Sequence, residues 1–108
     1  MIKKIVSSDR KIRVAIVGCG RISKKHFESI DARSDELDLV SICDSDANTL
    51  DLYRKKYGVP AYLHLNEMIE NEELDLVVLC TPSGLHARQA EVAAKHGVGV
   101  ITEKPMAT

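Results

Sequence analysis

Apolar positions along the chain follow two patterns: short β-branched runs, and longer stretches with apolar residues at every third or fourth position. The short runs predict buried strands at residues 12–17, 37–43, 61–63, 74–80 and 98–102. The helically spaced stretches between them predict helices at residues 21–30, at 46–57, from 66 and from 83 or 84 to 96. Strand and helix therefore alternate from residue 12 to residue 102.

The predicted helices carry start, stop and packing signals. Asp46 is predicted to cap the second helix, Gly58 to end it, and Pro60 to keep it from resuming. Asn66 is predicted to cap the short third helix, which carries Met68 and Ile69. The other helices have apolar stripes expected to face the sheet: Ile22, His26 or Phe27, and Ile30; Leu50, Tyr53 and Tyr57; Ala87, Ala90 and Ala94.

Alternation of this kind predicts an α/β fold of the Rossmann type, a doubly wound parallel sheet with helices on both faces and right-handed crossovers. We expect about five strands in the order 3-2-1-4-5. Residues 12–108 are predicted to form one domain, and residues 1–11, mostly polar and without a sustained period, a loose leader. Ligands bind such sheets outside the strand carboxyl ends where the strand order reverses, here between strands one and four.

The first strand ends in the turn GCGRIS at residues 18–23. Gly18 and Gly20 allow a tight turn and a close approach of the backbone to a pyrophosphate, and the next helix offers its positive end. The third position of the usual GxGxxG pattern is Ser23, which is nearly as small as alanine. Alone the turn is weak evidence, because glycine turns also occur for purely structural reasons.

Asp44 ends the second strand and gives the glycine turn its context. An acid there can accept hydrogen bonds from both ribose hydroxyls of an adenosine and repels a 2′-phosphate. Asp44 could instead cap the following helix, but Asp46 fills that role better. Turn and acid together predict a dinucleotide site that favours NAD over NADP.

Charge and targeting signals narrow the partners. The 15 Lys and Arg residues nearly balance the 16 Asp and Glu residues, for a formal net charge of −1. This removes the basic surface that binding to nucleic acid or an anionic membrane needs, so neither partner is expected. No stretch reaches the ~20 apolar residues of a membrane span, and no secretory signal is evident at the N-terminus. The sequence predicts a cytoplasmic protein.

Cysteine spacing gives no metal or disulfide pattern. Cys19, Cys43 and Cys80 are far apart and form no CxxC pair, and the four histidines are scattered. We expect three small buried thiols and no metal site.

Two further segments follow strands four and five. The first, CTPSGLH at residues 80–86, contains Pro82, which fixes φ and holds the segment extended; on spacing alone an ordinary strand-to-helix turn capped by Ser83 is favoured. The second, EKP at residues 103–105, places Lys104 where it can position a hydroxyl or move its proton. On spacing alone a solvated charge pair is favoured there.

Together these segments resemble one family. GCGRIS after strand one, Asp44 after strand two, CTPSGLH after strand four and EKP after strand five are similar to the amino-terminal half of the Gfo/Idh/MocA oxidoreductases, which include glucose–fructose oxidoreductase and inositol dehydrogenase. The resemblance spans about residues 12–108, and EKP is its most specific element. Within the family, GCGRISKKHFESI is most similar to dehydrogenases that oxidise the 3-hydroxyl of UDP-N-acetylglucosamine-type sugars, notably the uronic acid, in surface-polysaccharide synthesis.

The resemblance implies NAD as the cofactor and a role for each motif. Cofactor contacts are implied for Gly18, Gly20, Arg21, Ile22, Asp44, Thr81, Pro82, Ser83, His86, Glu103 and Lys104. Glu103 is expected near the nicotinamide, and Lys104 is expected to be catalytic by helping to deprotonate the substrate hydroxyl. The family often has asparagine at the position of Ser83.

Family members continue past EKP into a second α+β domain that supplies most substrate contacts, a catalytic histidine and the oligomer interface. The resemblance thus implies the cofactor half of an NAD-dependent sugar or nucleotide-sugar dehydrogenase that is a homo-oligomer at full length. We expect the 108 residues alone to bind NAD weakly and not to turn over a sugar. Two alternatives stay open: a non-catalytic nucleotide-binding sensor or interaction module of this fold, and an S-adenosylmethionine-dependent methyltransferase, against which the short TPS and EKP strand ends argue.

Overall fold

The computed structural model describes residues 10–20, 23–81 and 83–102, without the side chain of Ser83. Five parallel strands form one sheet in the order β3-β2-β1-β4-β5, with bounds β1 Ile12–Val17, β2 Leu37–Cys43, β3 Ala61–Tyr62, β4 Leu76–Leu79 and β5 Gly99–Thr102. The helices are α1 Ser23–Ala32, α2 Ala47–Tyr57, α3 Leu65–Asn71 and α4 His86–Lys95, and a 3₁₀ turn at Ser83–Leu85 precedes α4. The predicted Rossmann-type fold and strand order are confirmed.

The two faces of the sheet carry two separate cores, because successive side chains of a strand point to opposite faces. One core lies under α1 and α2, and its buried members include Val14, Ile16, Phe27, Ile42 and Leu50. The other lies under α3 and α4, and its buried members include Ala15, Val17, Met68, Leu79 and Ala93. Helices therefore cover both faces, and the strand ends are left as the accessible edge of the sheet.

The ends of α2 confirm two of the predicted signals. The side chain of Asp46 accepts hydrogen bonds from the backbone N–H groups of Asn48 and Thr49. Gly58 adopts a left-handed conformation with φ of 65°, and its N–H donates to the carbonyl of Arg54. Asp46 is thus committed to the helix start, which leaves the carboxylate of Asp44 for another role.

The predicted cap of α3 is wrong. The helix begins at Leu65 with His64 in the N-cap position, and the side chain of His64 makes no capping hydrogen bond. The N–H of Met68 already donates to the carbonyl of His64, so Asn66 lies within the first turn. The helical ladder therefore starts two residues before the side chain that suggested its start.

One predicted packing stripe is corrected, and another is confirmed in its described part. On α4, Ala93 is fully buried, whereas Ala87 and Ala94 are exposed and Ala90 is partly buried. The 3₁₀ turn precedes the start of α4 at His86, and Ala93 and Ala90, three positions apart, form the alanine face that packs on the sheet. On α1 the buried residues are Ser23, Phe27 and Ile30, so Phe27 rather than His26 faces the core; Ile22 lies outside the described residues.

The described end of the predicted leader is held to the domain. Both terminal nitrogens of Arg10 donate to the carboxylate of Asp75, at 2.6 and 2.8 Å, and the backbone N–H of Arg13 donates to the same carboxylate at 2.9 Å. Asp75 directly precedes β4, so this ion pair lies at the amino end of the sheet. Residues 1–9 of the leader lie outside the described residues.

We expect Arg10→Gln to destabilise the fold in a pH-dependent way. The hydrogen bonds and charge of Arg10 hold the pKa of Asp75 below its usual value. A carboxyl with a lowered folded-state pKa stabilises the fold above its unfolded pKa of about 3.9, and this stabilisation is lost as the pH falls through the folded-state pKa. Urea denaturation of both proteins should therefore show a larger loss at pH 7 than at pH 3. An equal loss at both values would contradict the ion-pair account.

Ser41 of β2 offers a second test of the fold, because its side chain is fully buried and its hydroxyl finds no hydrogen-bond partner among the described residues. Removal of an unsatisfied buried hydroxyl relieves its desolvation cost, so Ser41→Ala should raise the free energy of unfolding by about 1 kcal/mol. Ser45→Ala, at an exposed position, is the matched control and should change it by less than about 0.5 kcal/mol. A clear loss of stability in Ser41→Ala would show that the hydroxyl is bonded.

Candidate functional site

A cleft of about 610 Å³ lies at the carboxyl ends of the strands. Its walls come from the segments after β1, β2, β3 and β4 and from the start of α4, with lining residues Val17, Gly18, Gly20, Cys43, Asp44, Ser45, Leu63, His64, Leu65, Asn66, Cys80, Thr81, Leu85 and Gln89. The cleft thus lies where the strand order reverses between β1 and β4, as the doubly wound topology predicts.

Gly18 brings the turn after β1 into direct contact with the segment after β4. Its φ is 91°, and its N–H donates to the carbonyl of Cys43 at 2.7 Å. A Cβ at Gly18 would lie 2.9 Å from Cγ2 of Thr81 and 3.0 Å from the backbone of Cys80 and Thr81. The position therefore requires glycine on two independent grounds, its backbone conformation and the space around it.

Gly20 is open where Gly18 is crowded. A Cβ there would meet no described atom within 4 Å, and its φ is not in the left-handed region. The fold itself therefore does not require glycine at this position. Gly20 lines the cleft, so the missing side chain leaves the backbone accessible to a ligand.

Ser23 closes the glycine turn from the third position of the motif. Its side chain is fully buried, its hydroxyl donates to the carbonyl of Gly20 at 2.6 Å, and its N–H donates to the same carbonyl at 3.1 Å. The sequence suggested only that serine is small enough to replace glycine or alanine. The structure adds that the hydroxyl satisfies the carbonyl of the turn and fixes the start of α1.

Asp44 is held at the end of β2 with both carboxylate oxygens in use. Oδ2 accepts from the backbone N–H of Cys19 at 2.7 Å, and Oδ1 accepts from the N–H of Asp46 at 2.8 Å. Each oxygen can accept a further hydrogen bond, so the carboxylate keeps capacity for two hydroxyl donors. Asp44 lies in the wall of the cleft and is tied to the glycine turn through Cys19.

Thr81, after β4, is fixed from α4. Its hydroxyl donates to Oε1 of Gln89 at 2.5 Å, and Nε2 of His86 donates to its carbonyl at 2.7 Å. Of these residues Thr81 and Gln89 line the cleft, whereas His86 acts on the backbone of Thr81. Gln89 lies outside the motifs that indicated the site; its position three residues after His86, on the same helix face, is the signal that the sequence offers for it.

The structure brings Gly18, Gly20, Asp44 and Thr81 together around one cleft. Of the remaining candidates, His86 is described but does not line the cleft. The others lie outside the described residues: Arg21, Ile22, Pro82, Glu103, Lys104 and the side chain of Ser83. The last described residue before EKP in the sequence is Thr102, which pairs with Leu79 in the sheet.

The three cysteines are buried thiols and form no disulfide, as predicted. Burial, with the charge of Asp44 adding to it, raises the pKa of Cys19 and of Cys43 to about 12. Both are therefore neutral thiols near pH 7 and poor nucleophiles. Within residues 10–20, 23–81 and 83–102, metal-binding side chains do not gather in groups of three or more, and no helix is long and apolar enough to cross a membrane.

The cleft fits a dinucleotide by the chemistry of its walls. The turn at Gly18 and the open space at Gly20 allow a pyrophosphate to approach the amino end of α1, where the helix dipole favours negative charge. Asp44 supplies the acceptors for a ribose on the β2 side of β1. The described residues of the cleft therefore suit NAD in chemical character.

Comparison with known proteins agrees with this geometry. The Gfo/Idh/MocA family, described as an oxidoreductase family with an NAD-binding Rossmann fold, matches residues 12–108. D-apiose dehydrogenase of Paraburkholderia graminis is 29% identical, in an alignment that covers 99% of this chain and 28% of that protein. D-glucoside 3-dehydrogenase of Escherichia coli is 30% identical over 96% of this chain and 30% of that protein.

Two solved structures are more similar still. The WlbA dehydrogenase from Bordetella pertussis, in complex with NADH and UDP-GlcNAcA, is 44% identical, with a TM-score of 0.86 over 91% of this chain and 30% of that one. The WlbA dehydrogenase from Chromobacterium violaceum, in complex with the same two ligands, is 40% identical, with a TM-score of 0.88 over 94% and 29%. The chain thus spans about three tenths of the length of these relatives.

Proposed function

Because the chain belongs to the Gfo/Idh/MocA oxidoreductase family, whose fold is an NAD-binding Rossmann fold, we propose that it is the NAD-binding domain of a dehydrogenase that oxidises a sugar or nucleotide-sugar hydroxyl. The observation that carries this proposal is the cleft between β1, β2 and β4. There a glycine with φ of 91° meets the β4 segment, and a carboxylate is fixed against the same turn. Residues 12–108 form this domain in the proposal.

Each part of the cleft has a role in binding NAD. The backbone at Gly18 and Gly20 and the amino end of α1 hold the pyrophosphate. The carboxylate of Asp44 accepts the hydroxyls of the adenosine ribose and disfavours the 2′-phosphate of NADP. Thr81 forms the wall on the β4 side. The nicotinamide ring supplies the hydride acceptor when NAD is bound, so the domain positions that ring against a substrate hydroxyl.

The substrate we propose is a UDP-N-acetylglucosamine-type sugar oxidised at its 3-hydroxyl. Its support is the 44% and 40% identity to the two WlbA dehydrogenases, against about 30% for the D-glucoside and D-apiose dehydrogenases. Lys104 is proposed as the base that takes the hydroxyl proton, with Glu103 near the nicotinamide, as the family resemblance implies. We also propose that the full-length protein is a cytoplasmic homo-oligomer with a separate substrate domain.

Calorimetric titration of this chain with NADH, NADPH and S-adenosylmethionine tests the cofactor assignment. The affinity of the chain for NADH should be at least about ten times its affinity for NADPH, because the carboxylate of Asp44 repels the 2′-phosphate of NADPH. S-adenosylmethionine should give no binding heat. Tighter binding of S-adenosylmethionine than of NADH would overturn the proposal in favour of a methyltransferase.

The role of Lys104 separates an enzyme from a sensor of the same fold. Lys104→Ala should lower the NADH affinity of this chain only modestly, because the cofactor contact implied for Lys104 is secondary to its proposed role in proton transfer. In the complete dehydrogenase the same change should lower kcat by about a hundredfold or more. Undiminished turnover in that variant would rule out Lys104 as the base.

A further inference from the structure

The Gln89 side chain is oriented with its carbonyl oxygen towards the hydroxyl of Thr81. The hydroxyl of Thr81 donates to Oε1 of Gln89, and that bond uses the carbonyl side of the amide. The other side is the Nε2 group, which carries two N–H donors. Among the described residues this group has no hydrogen-bond partner, although Gln89 is partly buried and lines the cleft. A partly buried amide with an unused donor group in a cleft wall is suited to a ligand that offers an acceptor.

The backbone around this amide is held firmly. Thr81 is fixed by His86 at its carbonyl and by Gln89 at its hydroxyl, and these two residues are three positions apart on α4. Thr81 also packs closely against Gly18, since a Cβ at Gly18 would lie only 2.9 Å from its methyl group. The amide of Gln89 is therefore oriented through the same contact that shapes the glycine turn.

Sheet order places this amide away from Asp44. Asp44 follows β2, on one side of β1, whereas Thr81 follows β4, on the other side. If Asp44 holds the adenosine ribose, the β4 side meets the part of the dinucleotide beyond it. That part includes the second phosphate, the nicotinamide ribose and the nicotinamide carboxamide, all of which carry oxygen acceptors.

We propose that Gln89 is a cofactor-binding residue whose Nε2 group, oriented by Thr81, donates a hydrogen bond to an oxygen in the nicotinamide half of the bound dinucleotide. The inference rests on the proposed NAD function of the cleft. Gln89 lies within α4, so this ligand contact comes from a helix and not from the segments at the strand ends that indicated the site.

Three variants of the chain test this contact by NADH fluorescence titration. Gln89→Glu keeps an acceptor for the hydroxyl of Thr81 but replaces the N–H donors with a negative charge, and Gln89→Ala removes both groups. Each should weaken NADH binding by about tenfold or more. Glu91→Gln, an exposed exchange on the same helix, is the matched control and should bind NADH like the unmodified chain. Thermal unfolding of each variant shows whether it is folded at the titration temperature.

AMP serves as the second probe, because it carries the adenosine ribose and one phosphate only. Its affinity should stay within about twofold in all three variants. Unchanged NADH binding by Gln89→Glu, or an equal weakening of AMP and NADH, would overturn the inference. Failure of the unmodified chain to bind NADH would instead overturn the proposed function, so the two failures are distinguishable.

Discussion

Gly18→Ala is expected to abolish NADH binding by this chain and to lower its free energy of unfolding by about 3 kcal/mol. An alanine would have to adopt φ of 91°. Its Cβ would lie 2.9 Å from the methyl carbon of Thr81 and 3.0 Å from two backbone atoms, one of Cys80 and one of Thr81. Relief of this overlap requires the turn and the β4 segment to separate, and that separation widens the cleft. Urea denaturation and NADH titration of the same sample measure both effects.

Gly58→Ala is the control that isolates backbone strain. Gly58 also has positive φ, at 65°, but a Cβ there would meet no described atom within 4 Å. We expect a loss of about 1 kcal/mol with NADH affinity unchanged, because Gly58 ends α2 and does not line the cleft. If Gly18→Ala and Gly58→Ala lowered the free energy of unfolding equally, the close contact of the added Cβ at Gly18 would contribute nothing to the loss of stability.

Asp44→Ala is expected to remove the preference for NADH over NADPH. The carboxylate is the negative group in the cleft wall on the β2 side, and without it the 2′-phosphate of NADPH meets no repulsion. NADH affinity should fall about tenfold or more as the ribose acceptors are lost. The N–H groups of Cys19 and Asp46 would also lose their acceptor, so the free energy of unfolding should fall by about 1–3 kcal/mol.

Asp46→Ala is the matched control, two residues along the same loop. It removes the cap of α2 and should also destabilise the fold, because the N–H groups of Asn48 and Thr49 lose their acceptor. The ratio of NADPH to NADH affinity should stay as in the unmodified chain. A similar change of this ratio in both variants would show that helix capping, rather than the carboxylate of Asp44, sets the cofactor preference.

The fold was predictable from sequence because its signals are local and repeated. β-branched runs mark buried parallel strands, and both ends of α2 are set by contacts between residues no more than four positions apart. The errors arose where a boundary depends on the backbone instead. Asn66 has the side chain of a cap although the helical ladder already begins at His64, and the alanine pattern of α4 does not show that Ala93 is the one fully buried.

The site was predictable only in part, since its contacts join distant segments. Gly18 and Asp44 follow from the positions of two motifs after two strands. The crowding of Gly18 by Thr81, and the hydrogen bond from Thr81 to Gln89, depend on the packing of β4 and α4 against β1, which no short motif records. The roles of Lys104 and Glu103 come from the family resemblance.

Chemical-shift mapping of the ¹⁵N-labelled chain with NADH tests most directly whether this cleft is the cofactor site. The account predicts that the largest amide shifts fall on Gly18, Gly20, Asp44 and Thr81, which line the cleft. The amides of Arg10 and Asp75, at the amino end of the sheet, should stay unchanged. Shifts centred on that end of the sheet, or no shifts at saturating NADH, would contradict the assignment of the cleft to NAD.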